Sequence, residues 1–152
     1  MAKYAVVLQR TASSSASVGT LTAPASSMRR FKIYEFTLGS EAVPADVANL
    51  WRLSRCTAPG TNTAVTPNPL DPADAACVTV AGQINTVEPT YTSSGAVVMA
   101  DDPLNQKATY RWIAAPGGEI VIPATASNGV GLLTPTAGSS SNMTGFYYFE
   151  EQ

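Results

Sequence analysis

Two apolar, β-rich runs near the start of the chain, residues 31–38 and 50–56, constrain the fold more than any other feature. Successive side chains of a β-strand point to opposite faces, so a half-buried strand alternates between apolar and polar residues. The second run does this, because Trp51 and Leu53 fall on one face and Arg52 falls on the other. Such a run predicts a strand with one buried and one solvated face, near the centre of a β-sandwich.

The first run changes its phase part-way along. Phe31 and Ile33 share one face, whereas Tyr34, Phe36 and Leu38 share the other. A change of phase by one residue has two explanations. Either a β-bulge lies at Ile33–Tyr34, or the strand is buried on both faces.

Further short runs with strand character occur along the whole chain. We predict strands or strand-like runs at residues 3–9, 17–22, 77–87, 95–100, 107–114, 119–122, 130–134 and 143–150. Pro116-Gly117-Gly118 predicts a hairpin between two of these runs, and residues 101–105 predict a turn. Asp71 as an N-cap followed by Pro72 predicts a single helical turn.

Composition agrees with an all-β chain. Charged residues make up 13% of the sequence, about half the usual share, while Gly and Pro number 11 each. Long helices need charged exposed faces, so this composition favours short strands and turns. At 152 residues the chain is one domain, and an eight-stranded jelly roll fits that size. We therefore predict an all-β, jelly-roll-like antiparallel β-sandwich with short helical turns.

The chain contains no histidine. This removes the usual general base, the Ser-His-Asp triad and every His-ligated metal site, including the sites of cupins, which share the jelly-roll architecture. A Ca²⁺ site built from Asp101, Asp102 and Asn105 has the wrong spacing for an EF-hand loop. We expect no catalytic residues, no cofactor and no metal, and therefore a protein that is not an enzyme.

The net charge and the lack of a long apolar run exclude two classes of partner. The net charge of −2 does not suit a strongly basic nucleic-acid binder, and no run of about 18 apolar residues suits a membrane span. Seven of the nine Lys and Arg residues lie within residues 1–55, an asymmetry that either orients the chain on a charged partner or disappears when strands interleave. We expect no nucleic-acid and no membrane partner.

The cysteines and the start of the chain predict folding in a reducing compartment. Cys56 and Cys77 are too few for a disulfide framework, so both are expected to be reduced, with a bridge between them as the minor alternative. The run MAKYAVVLQR is too short in apolar residues for a secretory signal. We therefore expect synthesis and folding in a cytoplasm.

Two segments are candidates for contacts with a partner or with further copies of the chain. Residues 1–28 form either an arm or an outer strand of the sandwich, with residues 29–152 as the sandwich domain itself. Residues 57–70 carry three prolines without periodicity, which predicts an ordered contact loop. The candidate contact residues are Lys3, Tyr4, Val6, Leu8, Arg10, Arg29, Arg30, Lys32, Pro59, Asn62, Pro67, Asn68, Pro69 and Leu70.

Three stretches resemble a family of small virion structural proteins of tailed bacteriophages. They are FKIYEFTLGSEAVPADVANLWRLSRCTAPGTNTAVTPNPLDPADAA, YRWIAAPGGEIVIPATASNGVGLLTPTA and the terminal TGFYYFEE. The most specific elements are Leu-Trp, Pro-Asn-Pro-Leu-Asp-Pro-Ala-Asp and Pro-Ala-Thr-Ala-Ser-Asn-Gly. The resemblance covers residues 29–152 and does not extend to the first 28.

The resemblance implies a capsid decoration, or cement, protein: a jelly roll that sits on a capsid lattice and links its subunits. Its partners would then be the major capsid protein and further copies of the chain, as a dimer or trimer. It would be made in the cytoplasm of a host bacterium and located on the outer surface of the virion. The alternative is a receptor- or carbohydrate-binding module of a head fibre or tail. That module needs an exposed aromatic platform, for which Tyr147 and Tyr148 are the dense candidates.

Overall fold

A computed structural model describes residues 1–10, 17–26, 29–92, 98–135 and 142–152, and these ranges contain strands and loops but no helix. They form two antiparallel sheets. In chain order the strands are β1 (Lys3–Arg10), β2 (Ser17–Thr22), β3 (Phe31–Glu41), β4 (Ala48–Ala58), β5 (Thr61–Val65), β6 (Asn68–Pro69), β7 (Val80–Val87), β8 (Thr90–Tyr91), β9 (Val98–Asn105), β10 (Tyr110–Ile113), β11 (Ile120–Ile122), β12 (Gly129–Leu133) and β13 (Asn142–Glu151).

The order of the strands is that of a jelly roll. Sheet A runs β10-β3-β13-β1-β6, with β11 also paired to β3, and sheet B runs β5-β7-β2-β12-β4-β8, with β9 also paired to β4. If β5–β8 and β11 are set aside, the remaining strands make two four-stranded sheets, β10-β3-β13-β1 and β9-β4-β12-β2. These are the two interleaved Greek keys of a jelly roll, so the predicted fold class is confirmed.

The two-residue period of β13 sets the interior of sheet A. Every second residue from Met143 to Glu151 is buried, and the residues between them are half-buried on the outer face. Tyr147 and Phe149 therefore join the core, where the ring of Phe149 stacks on Tyr4 at 5.6 Å. Gly145 faces the opposite sheet, and its missing side chain leaves the space that Leu132 of β12 fills.

A β-bulge lies in β3 where the sequence changes its phase. Tyr148 pairs with Glu35 and the next residue, Phe149, pairs with Ile33, so Tyr34 is the unpaired extra residue. Phe31 and Phe36 both point into the core although they are five positions apart. Of the two explanations for the change of phase, the bulge is the correct one.

Two local predictions in the second half of the chain are wrong. β10 and β11 do not form a hairpin, because both pair antiparallel with β3, one after the other along the same edge. The loop between them lets the chain continue in one direction, with a turn at Gly117 that has a φ of 80°. Residues 101–105 are not a turn but most of β9, which pairs with β4.

Two further predictions are refined. Of the run predicted at 95–100, residues 95–97 lie outside the described residues and 98–100 begin β9. The helical turn expected at Asp71 is a hydrogen-bonded turn over residues 71–74 without helix, in which the Asp74 amide donates to the Asp71 carbonyl at 3.0 Å.

The first 28 residues do not form a separate arm in the part that the structure describes. β1 lies inside sheet A, between β13 and β6, and β2 lies inside sheet B, between β12 and β7. The boundary expected at residue 28 therefore divides strands of one sandwich, and of the two alternatives the strand is correct. Residues 11–16 and 27–28 lie outside the described ranges.

The region predicted as a contact loop, residues 57–70, contributes to both sheets. β4 extends to Ala58, β5 pairs with β7 in sheet B, and β6 pairs with β1 in sheet A. The prolines do not prevent this, since Pro69 lies in a two-residue strand at the edge of its sheet. The prediction of a long loop is wrong because it took the lack of periodicity as a lack of strands.

Both cysteines are free thiols. Cys56 is buried, and desolvation raises its pKa to about 12, whereas a backbone hydrogen bond at Gly129 acts in the opposite direction. Desolvation also raises the pKa of Cys77, with the neighbouring Glu151 carboxylate adding to the shift. Thiols of this kind are inert at neutral pH, which agrees with the expected reduced state.

Glu151 fastens the end of β13 to the segment that precedes β7. Its side chain is 1% exposed, and its Oε1 accepts hydrogen bonds from the Cys77 thiol, the Val78 amide and both the amide and hydroxyl of Thr79. The Arg29 guanidinium lies 3.6 Å from the other oxygen. Burial alone raises the pKa of Glu151, but these hydrogen bonds outweigh it and leave the pKa below its ordinary value.

Trp51 is 1% exposed and lies in the core, as its alternation predicts. We expect Trp51→Ala to lower the free energy of unfolding by about 3–5 kcal/mol, the usual cost of removing a large aromatic side chain from a core. Chemical denaturation of the purified protein measures this. A loss of about 0.5 kcal/mol or less, as at surface sites, would contradict the assignment.

The lowered pKa of Glu151 predicts an acid-dependent loss of stability. A carboxylate with a lowered folded-state pKa contributes its full stability above its ordinary pKa of 4.5, and the contribution is lost as the pH falls through the folded-state pKa. Denaturation midpoints of the wild type and Glu151→Gln should therefore differ at pH 7 and converge towards pH 3. Glu150→Gln, on the outer face, is the matched control. Parallel pH profiles for the wild type and Glu151→Gln would contradict the prediction.

Candidate functional site

Several of the predicted contact residues are part of the core instead. The side chains of Tyr4, Val6 and Leu8 are at most 2% exposed, so a contact role for them is wrong: alternation along β1 turns them inward. Arg10 is also buried, at 4% exposed. Burial lowers the pKa of Arg10, and the charge of Glu88 opposes that shift.

The candidates in residues 59–70 mainly hold the fold together. The Asn62 amide nitrogen donates to Thr20 Oγ1 and to the Pro59 carbonyl, each at 3.2 Å, which ties β5 to β2. Pro67 is buried, and Asn68 and Pro69 form β6. Leu70 is 49% exposed, so it remains available to a partner.

The basic candidates lie at or near sheet A. Lys3 is exposed, with its Nζ 5.6 Å from the centre of the Tyr34 ring. Lys32 is half-buried and pairs with Glu150 across the ladder, while Arg30 is exposed. Arg29 is committed to Glu151 at 3.6 Å. Lys3, Arg30 and Lys32 therefore keep the position that a contact requires.

The outer face of sheet A carries a cluster of apolar side chains around Phe146 and Tyr148, with Ile113 on the far side of Glu35. One cross-strand row runs Val7, Phe146, Thr37, Arg111, and the next runs Ala5, Tyr148, Glu35, Ile113. We call five of the side chains on this surface the outer aromatic face: Val7, Tyr34, Ile113, Phe146 and Tyr148.

Aromatic contacts hold the outer aromatic face together. The Tyr34 and Tyr148 rings stack at 6.1 Å with 17° between their planes, and Phe146 meets Tyr148 edge-on at 4.5 Å. These three rings are half-buried, while Val7 is 42% and Ile113 57% exposed. Exposed β-branched apolar residues next to fixed aromatic rings are typical of surfaces that meet another molecule.

Charges of both signs border this face. Arg111 Nε donates to Glu35 Oε1 at 2.6 Å, and Lys3 lies over Tyr34. Burial raises the pKa of Tyr34, and the neighbouring Glu35 carboxylate adds to the shift, so the Tyr34 hydroxyl stays protonated at neutral pH. Charged and apolar side chains therefore alternate across this face, because Glu35 lies between Tyr148 and Ile113 in the cross-strand row.

A groove of about 220 Å³ continues from the outer aromatic face. Phe146 belongs to both, and the next cross-strand row, Thr144 with Gly39, forms the groove floor. The other lining residues are Thr37, Leu38, Ser40, Glu41 and Thr109. Within the described ranges, the buried hydroxyl oxygens of Ser40 and Thr144 have no hydrogen-bond partner in the protein.

Sequence reasoning identified only part of this surface. It selected the Tyr147–Tyr148 pair, and alternation puts Tyr148 outside and Tyr147 in the core, where it is 1% exposed. The outward position of Phe146 follows from the same two-residue period. Tyr34 was missed because the bulge redirects it, and the groove was missed because Gly39 and Thr144 meet only through strand pairing.

The comparisons with known proteins identify no relative: no family model, curated protein or solved structure matches this chain. Among the residues that the structure describes, no three of Cys, Asp and Glu come together in a way that could hold a metal ion. No helix in the same ranges has the length and apolar character needed to cross a membrane. The outer aromatic face and its groove are therefore the candidate site.

Proposed function

We propose that the chain is a capsid decoration protein that binds the assembled capsid lattice through its outer aromatic face. The observation that carries the proposal is the pair of cross-strand rows on sheet A, which presents Phe146 and Tyr148 beside exposed Val7 and Ile113. Its apolar side chains are partly exposed to water in the free monomer, Val7 and Ile113 most of all, and together they offer an apolar surface. Docking on a protein surface removes it from water.

Fold and composition support an assembly role. Jelly rolls serve as viral capsid, lectin and cupin domains, and a chain without histidine cannot build the His-ligated metal site of a cupin. Only 13% of the residues in the chain are charged, and a surface poor in charge suits contact with other proteins. The resemblance of residues 29–152 to small phage virion proteins points in the same direction.

Decoration stabilises a capsid by mass action. A protein that binds only the assembled lattice stabilises it by RT ln(1 + [L]/Kd) per site, about 2.7 kcal/mol at a hundredfold excess over Kd. Each contact can therefore be modest, because the lattice repeats the site many times. An interface built around a few aromatic side chains with a polar border is sufficient for this role.

The double variant Phe146→Thr/Tyr148→Thr tests the proposal. Capsids of the parent phage lacking this gene are mixed with purified wild type or variant and imaged. The wild type should give saturable density on the lattice, and the double variant should bind at least tenfold more weakly, a loss of about 1.4 kcal/mol. Val80→Thr, which alters an exposed apolar residue of sheet B, is the control and should bind as the wild type does.

Retained circular dichroism and a cooperative melting transition must show that the double variant is folded. Density from the wild type at the tail alone, or none on the lattice, would overturn the proposal. Equal binding by wild type and double variant would show that another surface docks.

A second candidate function, carbohydrate binding, is favoured by the groove beside Phe146. Sugar rings stack their apolar faces on aromatic side chains and offer hydroxyl groups to polar atoms. Thr37, Glu41 and Thr109 supply polar side chains to the same lining. The groove is of a size for one or two sugar rings rather than for a drug-sized ligand.

A glycan panel followed by NMR titration of any positive sugar tests this second function. Binding should weaken at least tenfold in Phe146→Ala and several-fold in Thr109→Val, which removes an exposed hydroxyl of the lining at nearly constant volume. Thr63→Val, an exposed position on β5, is the matched control. Sugar binding in solution without capsid binding would favour this function over decoration, and no binding across the panel would exclude the sugars tested.

A further inference from the structure

A second cavity lies on the other side of the molecule, at one end of sheet B. Its volume is about 140 Å³, and its lining includes the end of β4, the start of β12, Thr92 after β8 and Pro123 after β11. It shares no residue with the outer aromatic face or its groove. The polar side chains in the lining are those of Arg55, Thr57, Thr92 and Asn128.

The charge of Arg55 is uncompensated within the protein. Arg29, Arg52 and Arg111 each lie within 4.0 Å of a carboxylate, but Arg55 does not, although all eleven Asp and Glu residues lie in the described ranges. Arg55 is half-buried. Among the described residues its guanidinium makes a single hydrogen bond, from NH1 to the Val121 carbonyl at 3.0 Å. Desolvating an unpaired charge is costly, so a guanidinium at a cavity without a carboxylate partner favours binding one from another molecule.

The surroundings hold the backbone of Arg55 in place and leave its remaining donors available. Thr92 donates from both its amide and its hydroxyl to the Arg55 carbonyl, at 3.5 Å and 3.3 Å. The backbone of Asn128 is fixed by bonds to Ala23 and Thr125, while its side-chain amide makes no hydrogen bond among the described residues. The free donors of the cavity are thus a guanidinium fork and a carboxamide.

These donors match one chemical group, a carboxylate. A planar guanidinium binds a carboxylate through two parallel N–H···O bonds, and the Asn128 amide can donate a third. One positive charge balances the single negative charge of a carboxylate, whereas a phosphate group carries nearly twice that charge. The small volume admits the end of a side chain and not a ligand of the usual 300–1,000 Å³.

We propose that the Arg55 cavity binds a carboxylate, presented by an acidic side chain of the partner protein. The choice of a capsid protein as that partner rests on the proposed function. The binding of a carboxylate in the cavity does not rest on it. The cavity would act as a second, polar contact, separate from the outer aromatic face. A buried pair of this kind gives a contact its register, because a partner without the acidic residue leaves Arg55 unpaired.

NMR titration of the ¹⁵N-labelled protein tests the cavity directly. Propionate is the probe, and propionamide, which has the same shape without the charge, is its control. Propionate should produce saturable shifts of the Arg55 Nε–H, the Asn128 side-chain amide and the Gly129 amide, and propionamide should not. In Arg55→Gln the affinity should fall at least tenfold, and in Arg55→Lys, which keeps the charge but not the fork, it should fall less. Arg30→Gln, at an exposed arginine outside the cavity, should bind as the wild type does.

Shifts that do not saturate, equal shifts with propionamide, or unchanged binding in Arg55→Gln would overturn the carboxylate site. The backbone NMR spectrum of each variant shows whether it is folded. If Arg55→Gln does not fold, the loss of affinity in Arg55→Lys tests the site instead.

The capsid-binding measurement then identifies the source of the carboxylate. Arg55→Gln should bind capsids at least tenfold more weakly than Lys107→Gln does, which removes an exposed positive charge that belongs to neither surface. Equal capsid binding by these two variants, with propionate binding intact in the wild type, would overturn the assignment to a partner side chain in favour of a free small carboxylate. If the wild type binds no capsid at all, the proposed function fails, and the propionate titration still decides the carboxylate site.

Discussion

The register of β13 between its two neighbours is the constraint on which most of this structure depends. β13 pairs with β1 along one side and with β3 along the other, so a slip by one residue would exchange its two faces. Tyr147 and Phe149 would then leave the core, and Phe146 and Tyr148 would enter it. The hydrogen bonds that Glu151 accepts at the end of β13 oppose such a slip, because they join this strand to Val78 and Thr79 in one position only.

Features that depend on neighbouring residues could be predicted from the sequence, and features that depend on distant pairing could not. The change of phase in residues 31–38 predicted either a bulge or a strand buried on both faces, and the bulge at Tyr34 is what the structure has. Alternation predicted that Trp51 is buried. Both follow from the two-residue period of a single strand. The hairpin expected around Pro116 was wrong, because the local turn signal is present while both flanking strands pair with β3 instead of with each other. No local sequence pattern indicates which strand will pair with a given run.

Ion pairs bring the two halves of the sequence together in the fold. All four ion pairs among the described residues join the first 55 residues to the rest of the chain, as expected if strands from both halves interleave. They are Arg29–Glu151, Arg52–Asp101, Lys107–Asp46 and Arg111–Glu35. Most are partly exposed, and such pairs contribute little stability. Their consequence here is electrostatic, because each pair neutralises two local charges.

The candidate site shows why a binding surface was only partly visible in the sequence. Tyr148 was a candidate from the dense aromatic run, but its stacking partner, Tyr34, lies 114 positions earlier and faces outward only because of the bulge. The groove likewise needs Gly39 opposite Thr144, a pairing that the ladder between β3 and β13 creates. The Arg55 cavity is built from other strands, so a substitution at one surface leaves the geometry of the other intact. This separation means that the proposed apolar docking and the proposed carboxylate recognition can be tested one at a time, and their effects on the affinity for a partner should add.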